Sequence, residues 1–287
     1  MNKNKLMFWI FIGPCLLAFI VVVIIPLIFG IYYSFTDWNG INADVNCVGI
    51  VNYLKLLNDK HFIQSFIFTL KFTIVSVALI NITGFLLALL VTGGLKINNL
   101  LRTVFFMPNL IGGLILGFIW QFIFINAFTS LGEITGQTWL MGWLSSNKTS
   151  FWGLVILMVW QMSGYVMVIY IAAIQGIPKE LLEAAKMDGA NAWHRLKNII
   201  LPLVRPAFTI SFFLTLSNSF KLYDQNLSLT DGGPARSSEM LAMNIYNTAF
   251  SFMKFGEAQA KAVIFLFIVG IFTLSQVYIS KKSEVEM

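Results

Sequence analysis

Charge is what this sequence has least of. Asp, Glu, Lys and Arg make up 11% of its 287 residues while 57% are apolar; a soluble domain carries about 25% charged residues. A water-soluble globule is excluded, and a membrane protein is indicated. Cysteine is nearly absent too. Cys15 sits in a long apolar run and Cys47 in a polar loop, so the pair cannot build a disulfide framework. His61 and His194 are the only histidines, and neither has a second His or a Cys at metal-ligand spacing. No G-x-x-x-x-G-K-[ST] phosphate loop occurs, so the chain itself is not expected to bind ATP. No nucleophile–base constellation occurs either. An enzyme is not expected, with no catalytic residues, no metal and no cofactor. The net charge of +6 comes without a basic run longer than Lys281–Lys282. It reads as membrane topology rather than nucleic-acid binding.

What the chain has in quantity is long apolar runs. A hydrocarbon core of about 30 Å takes about 20 apolar residues in a helix. Six segments qualify, at residues 8–34, 66–91, 104–125, 151–175, 199–220 and 259–280. The fold class is therefore all-α, a polytopic membrane protein of six spans. The fifth span has the weakest pattern. Pro202 and Pro206 stand at its start and Ser217, Asn218 and Ser219 near its end. The first run is longer than a signal-peptide core and lacks a small-residue cleavage site, so it reads as an uncleaved helix. The loop holding Lys96 and Arg102 has no acid, which places it and both termini in the cytoplasm. Lys71 and Lys261 fall near outer helix ends, from which they are expected to snorkel to water.

One stretch is polar where its neighbours are oil: "EAAKMDGANAWHRLKNIILP", from Glu183 to Pro202. Pro178 suits the start of a short helix, and "KELLEAAKMD" is made of helix formers. Leu181, Ala184, Ala185 and Asp188 share a face with little bulk. Gly189 closes the helix in the left-handed conformation, and Asn191 caps a second one running to Lys197. Taken alone, this is an amphipathic loop or a partner surface.

The block resembles the motif of binding-protein-dependent ABC importer permeases: E-A-A, three residues, G, nine residues, I-x-L-P. Glu183, Ala184, Ala185, Gly189, Ile199, Leu201 and Pro202 match at every spacing. "DGANAW", "LPLVRP" and "SFKLYDQNLSLTDGGP" look like the carbohydrate branch, and like the maltose-type first permease of a pair. The resemblance covers nearly the whole chain. It implies a single transmembrane domain over residues 1–287, a minimal type I ABC importer fold without the two extra N-terminal spans and large outer domain of the maltose-type partner. It implies that residues 178–198 hold the coupling helix, with Glu183, Ala184, Ala185, Asp188 and Gly189 docking on an ATPase. The implied partners are a second sugar permease in a heterodimer, an ABC ATPase dimer, an extracellular sugar-binding protein and the lipid bilayer of a bacterial cell membrane.

Polar residues inside spans tend to face the bundle interior. Here they are mostly neutral: Asn81, Asn109, Gln121, Gln161, Ser163, Tyr165, Ser217 and Asn218. Singly, each reads as a helix–helix hydrogen bond worth about 0.6 kcal/mol. As a set without mid-span acids, they suit a neutral sugar better than an ion. The resemblance maps sugar contacts onto Asn109, Gly113, Trp160, Ser163, Gly164 and the Ser217–Asn218 neighbourhood; Tyr165 and Asn218 are also chosen for their chemistry. The residue types differ from the maltose-type pattern, so the sugar is not fixed by analogy. The alternative is a secondary transporter of a small neutral solute, which would more often show mid-span acids or broken helices.

Overall fold

The computed structural model describes residues 3–42, 44–93 and 97–282. Lys96, which carries part of the orientation argument, lies outside them. The described residues are helical almost throughout, with one isolated bridge between Thr36 and Cys47. Hydropathy sets the main elements. The apolar spans are α1 (Met7–Ser34), α3 (Lys60–Thr92), α5 (Gly113–Thr135), α6 (Asn147–Gln175) and α12 (Phe255–Lys281), with a sixth made of two bent helices. Shorter helices lie between them: α2 (Val51–Asn58), α4 (Asn98–Phe106), α7 (Lys179–Met187), α10 (Asp224–Thr230) and α11 (Leu241–Tyr246). The bent pair is α8 (Ala192–Leu203) and α9 (Arg205–Phe220), which meet at 65°. Pro206 at the start of α9 has no N–H to give to the preceding turn, so the helix cannot run on unbroken.

Local chemistry starts the long helices. The Asp59 carboxylate accepts from the backbone N–H groups of His61 and Phe62 at 3.0 and 3.1 Å and so caps α3. Ser146 and Thr149 form a reciprocal capping box at the start of α6. The third apolar segment departs from the expected residues 104–125. α4 ends at Phe106, a 3₁₀ turn covers Met107–Leu110, and Ile111 and Gly112 are extended before α5 begins at Gly113. Pro108 and the Gly112–Gly113 pair interrupt a stretch that is continuous in hydropathy. The span is shifted towards Thr135.

The chain divides into two compact units. The first comprises Met1–Phe62 and Asn244–Ile268. Its buried centre corrects one expectation, because Lys261 does not snorkel. It is 4% exposed, pairs with Asp59 at 2.8 Å, and donates to Asn244 Oδ1 and Thr248 Oγ1, both at 2.9 Å. A buried ammonium needs all of these partners, since an unpaired charge there costs several kcal/mol, to order of magnitude. Burial pushes the Asp59 carboxyl up, but Lys261 and the two capping N–H groups outweigh it and hold the group below its ordinary value.

The second unit comprises Ile63–Met243 and Val269–Met287. Its core is organised by α6, which buries Leu154, Leu157, Met158, Met167 and Tyr170, against Phe72 and Ile80 of α3 and Leu116 and Phe124 of α5. Between membrane helices lipid is as apolar as leucine, so close packing rather than water expulsion holds such contacts. Small residues serve that packing. At Gly164 of α6 a Cβ would land on the Phe105 carbonyl of α4, so only glycine permits this approach.

Candidate functional site

The Glu183–Pro202 block forms α7 and α8. α7 carries Glu180 in its first turn and Lys186 in its last, each opposing the helix dipole end it faces. It ends in a Schellman turn. Gly189 N–H donates to Lys186 O at 3.1 Å, and Ala190 N–H donates to Ala185 O at 2.9 Å. Gly189 has φ +79°, and nothing lies within 4 Å of where its Cβ would be. Conformation, not crowding, requires glycine here. Asn191 accepts from the backbone N–H of His194 at 2.9 Å and caps α8. α8 then runs through a π turn at Leu196–Ile200 to Leu203, rather than ending at Lys197. Leu182 packs towards the core. Glu183, Ala184, Asp188 and Gly189 are exposed, and Ala185 is half-buried. Apolar side chains stand out beside them: Met187 is 88% exposed, Trp193 65% and Leu181 47%.

The residues expected along a solute path do not share one place. Asn109, Tyr165 and Asn218 line a cleft of about 350 Å³ with Gln161, Lys221 and Gln225. The amides are partly wired together. Gln225 Nε2 donates to Gln161 Oε1 at 2.8 Å, and Gln161 Nε2 reaches Ile111 O at 3.4 Å. Asn218 is exposed and donates only to its own helix, at Leu214 O, 2.9 Å away. Trp160, Ser163 and Gly164 line a different cavity. It is larger, about 1010 Å³, and apolar, walled by Leu, Val, Ile, Phe and Trp side chains. There the Ser163 hydroxyl is already taken, donating to Val159 O and meeting Thr83 Oγ1, both at 2.6 Å. Gly113 faces α10, where a Cβ would meet Asp224 Cβ at 2.9 Å. Ser217 is half-buried and lines neither cavity.

Sequence reasoning missed Gln225 and Lys221, which belong to a stretch with outer-loop composition. It also missed most of a buried polar centre. Asn81 of α3, Tyr170 of α6, and Ser211 and Thr215 of α9 are all at most 2% exposed and hydrogen-bonded together. Asn81 was visible as a mid-span amide, whereas Tyr170, Ser211 and Thr215 carry no signal apart from their partners.

Comparison with known proteins places this architecture. The profile of the binding-protein-dependent transport system inner membrane component family matches residues 80–284. A probable starch degradation products transport system permease protein, AmyD of Thermoanaerobacterium thermosulfurigenes, is 54% identical over 99% of this chain and 97% of its own. The multiple sugar-binding transport system permease protein MsmF of Streptococcus mutans is 30% identical over 98% of each. In a crystal structure of a bacterial alginate ABC transporter in complex with an alginate pentasaccharide-bound periplasmic protein, one chain superposes with a TM-score of 0.83. It covers 98% of this chain and 96% of its own at 18% identity, a likeness of fold. The helical fold, with five apolar spans and a bent pair that counts as a sixth if it is one span, is thus that of a type I importer permease, a membrane transport component and not an enzyme, and the chain belongs to the binding-protein-dependent transport system inner membrane component family.

Proposed function

We propose that this chain is one permease subunit of an ATP-driven importer of neutral sugars or oligosaccharides. The observation that carries the cargo is the cleft of Asn109, Gln161, Tyr165, Asn218 and Gln225, whose lining includes amides, a phenol and one lysine but no carboxylate. Amides and hydroxyls both donate and accept, as a sugar's hydroxyls do. Relatives named for starch products and multiple sugars agree with it. The permease pairs with a second sugar permease, takes its cargo from an extracellular binding protein, and docks an ATPase dimer through Glu183, Ala184, Ala185, Asp188 and Gly189. The exposed Leu181, Met187 and Trp193 around those residues support the docking role, because apolar groups of this size gather at interface centres. Both termini lie in the cytoplasm of a bacterial cell.

Uptake of a labelled sugar panel by cells with and without the gene tests the cargo. Loss of uptake of at least one neutral saccharide is expected; unchanged uptake across the panel refutes it. Orientation is tested with single cysteines at the exposed Ser145 and Asn191, in a background lacking Cys47. In intact cells an impermeant thiol reagent is expected to label position 145 and spare position 191. The reverse pattern places the docking block outside and removes its role.

A further inference from the structure

The buried polar centre has an unusual hydrogen balance. Tyr170 Oη lies 2.7 Å from Asn81 Oδ1 and 2.6 Å from Ser211 Oγ, and Ser211 Oγ lies 2.7 Å from Asn81 Oδ1. Asn81 Oδ1 only accepts. Its orientation is set by Nδ2, which donates to Val77 O at 2.8 Å and to Thr215 Oγ1 at 3.1 Å. Two hydroxyl protons therefore serve three short edges. Tyr170 can donate to Asn81 or to Ser211, and Ser211 to Asn81, to Tyr170 or, at 3.2 Å, to Phe208 O of its own helix. Rotating a hydroxyl rewires the triangle without parting any two helices.

Each corner comes from a different helix: Asn81 from α3, Tyr170 from α6, Ser211 from α9. An aromatic triangle from the same helices backs it. Phe85, Tyr170 and Phe208 have ring centroids 5.4, 5.2 and 4.7 Å apart in pairs. The positions along the chain matter. Tyr170 stands five residues before the end of α6 at Gln175, about 7.5 Å by helical rise. Gln175 leads into the docking block, and Ser211 lies six residues into α9, counted from Arg205, in the helix that leaves it. The Tyr170–Ser211 contact thus joins the two helices that carry the block, and Asn81 ties both to α3.

We infer that the Asn81–Tyr170–Ser211 triangle is a pin that makes a displacement of the docking block move α6 and α9 together with α3, with Tyr170 its positioning residue. The inference rests on the proposed ATP-driven import. Without the pin the block still docks and ATP is still hydrolysed, but the spans flanking the block slip relative to each other and hydrolysis moves less sugar.

Tyr170→Phe removes one hydroxyl and keeps the aromatic triangle. The test uses the complete importer in proteoliposomes and reads sugar moved per ATP hydrolysed. Tyr170→Phe is expected to copurify with its ATPase as wild type does, keep its hydrolysis within about twofold, and lose about fivefold or more of the ratio, the lower range of couplings between sites. Ser211→Ala is expected to lose a similar factor, and the double variant clearly less than the product of the two losses, since both hydroxyls belong to one unit. Thr83→Val is the control. It deletes an equally short bond between α3 and α6 that does not touch α9, and it is expected to keep the wild-type ratio. An unchanged ratio in Tyr170→Phe, an equal fall in Thr83→Val, or multiplied losses in the double variant would each overturn the pin. A wild-type complex that moves no sugar with ATP would instead remove the proposed function, and the pin with it.

Discussion

Two cavities flank α6, and they differ in what their walls have left to offer. The cleft around Asn109, Tyr165 and Asn218 presents amides and a phenol, with Asn218 exposed and bonded only within its own helix. The cavity around Trp160, Ser163 and Gly164 is three times larger and nearly all hydrocarbon. Its two hydroxyls, of Ser163 and Thr83, are bonded to each other and to their own helices, which leaves the buried Trp120 Nε1 as an unpaired donor on an otherwise apolar wall. On the proposed reading size does not mark the sugar path; a cluster of groups that both donate and accept does, because a sugar leaving water must have its hydroxyls paired again. On the proposed reading, residues from one helix, only a few positions apart, divide between cargo chemistry and helix packing.

The sharpest way to break this comparison is Gly164→Leu. The side chain would enter the Phe105 carbonyl, and overpacking typically costs about 1–3 kcal/mol or more. The expected result is a marked loss of folded protein on size-exclusion chromatography, with uptake falling in proportion. A variant folded at wild-type level with abolished uptake would return Gly164 to the path. Next in size is Asn218→Leu with Tyr165→Phe. It is expected to lower sugar uptake about tenfold, equivalent to about 1.4 kcal/mol, at unchanged yield of assembled complex. Unchanged uptake would empty the polar cleft of its role. The smallest effect is expected from Ser163→Ala. Loss of one interhelical bond averages about 0.6 kcal/mol, so a thermal-shift assay should show a slight destabilisation and uptake should stay within about threefold. A tenfold loss of uptake without destabilisation would make Ser163 a cargo contact.

The fold class was legible because bilayer thickness writes itself into the length of apolar runs. α1, α3, α6 and α12 are visible in hydropathy alone, and the Pro202–Pro206 pair marks the weak fifth span. The third span was misplaced because hydropathy has no term for backbone conformation. Pro108, Gly112 and Gly113 break the helix inside an uninterrupted apolar run. The local structure of the Glu183–Pro202 block was the most legible part of the proposed sites. Gly189 and Asn191 act through their own backbone neighbourhoods, so their types reveal their conformations. The grouping of the residues expected along a solute path was only partly legible. Helical spacing brings Trp160, Ser163 and Gly164 to one side of α6 but does not say what that side meets. Lys261 shows the same limit. Its hydrogen-bonding partners include Asn244 and Thr248, which are distant in sequence, and no local pattern separates a buried lysine from a snorkelling one.

The central claim, that this chain turns ATP hydrolysis by a docked partner into sugar import, is tested most directly at Gly189. Its φ of +79° penalises any β-carbon, by about 1–2 kcal/mol, while no span is touched. The measurement is ATP hydrolysis by the assembled complex, stimulated by the sugar-loaded binding protein, for wild type and Gly189→Val. The account predicts clear stimulation in the wild type, and a sharp loss of stimulation or of ATPase copurification in the variant, with membrane insertion intact. Full stimulation and full copurification in Gly189→Val would contradict it.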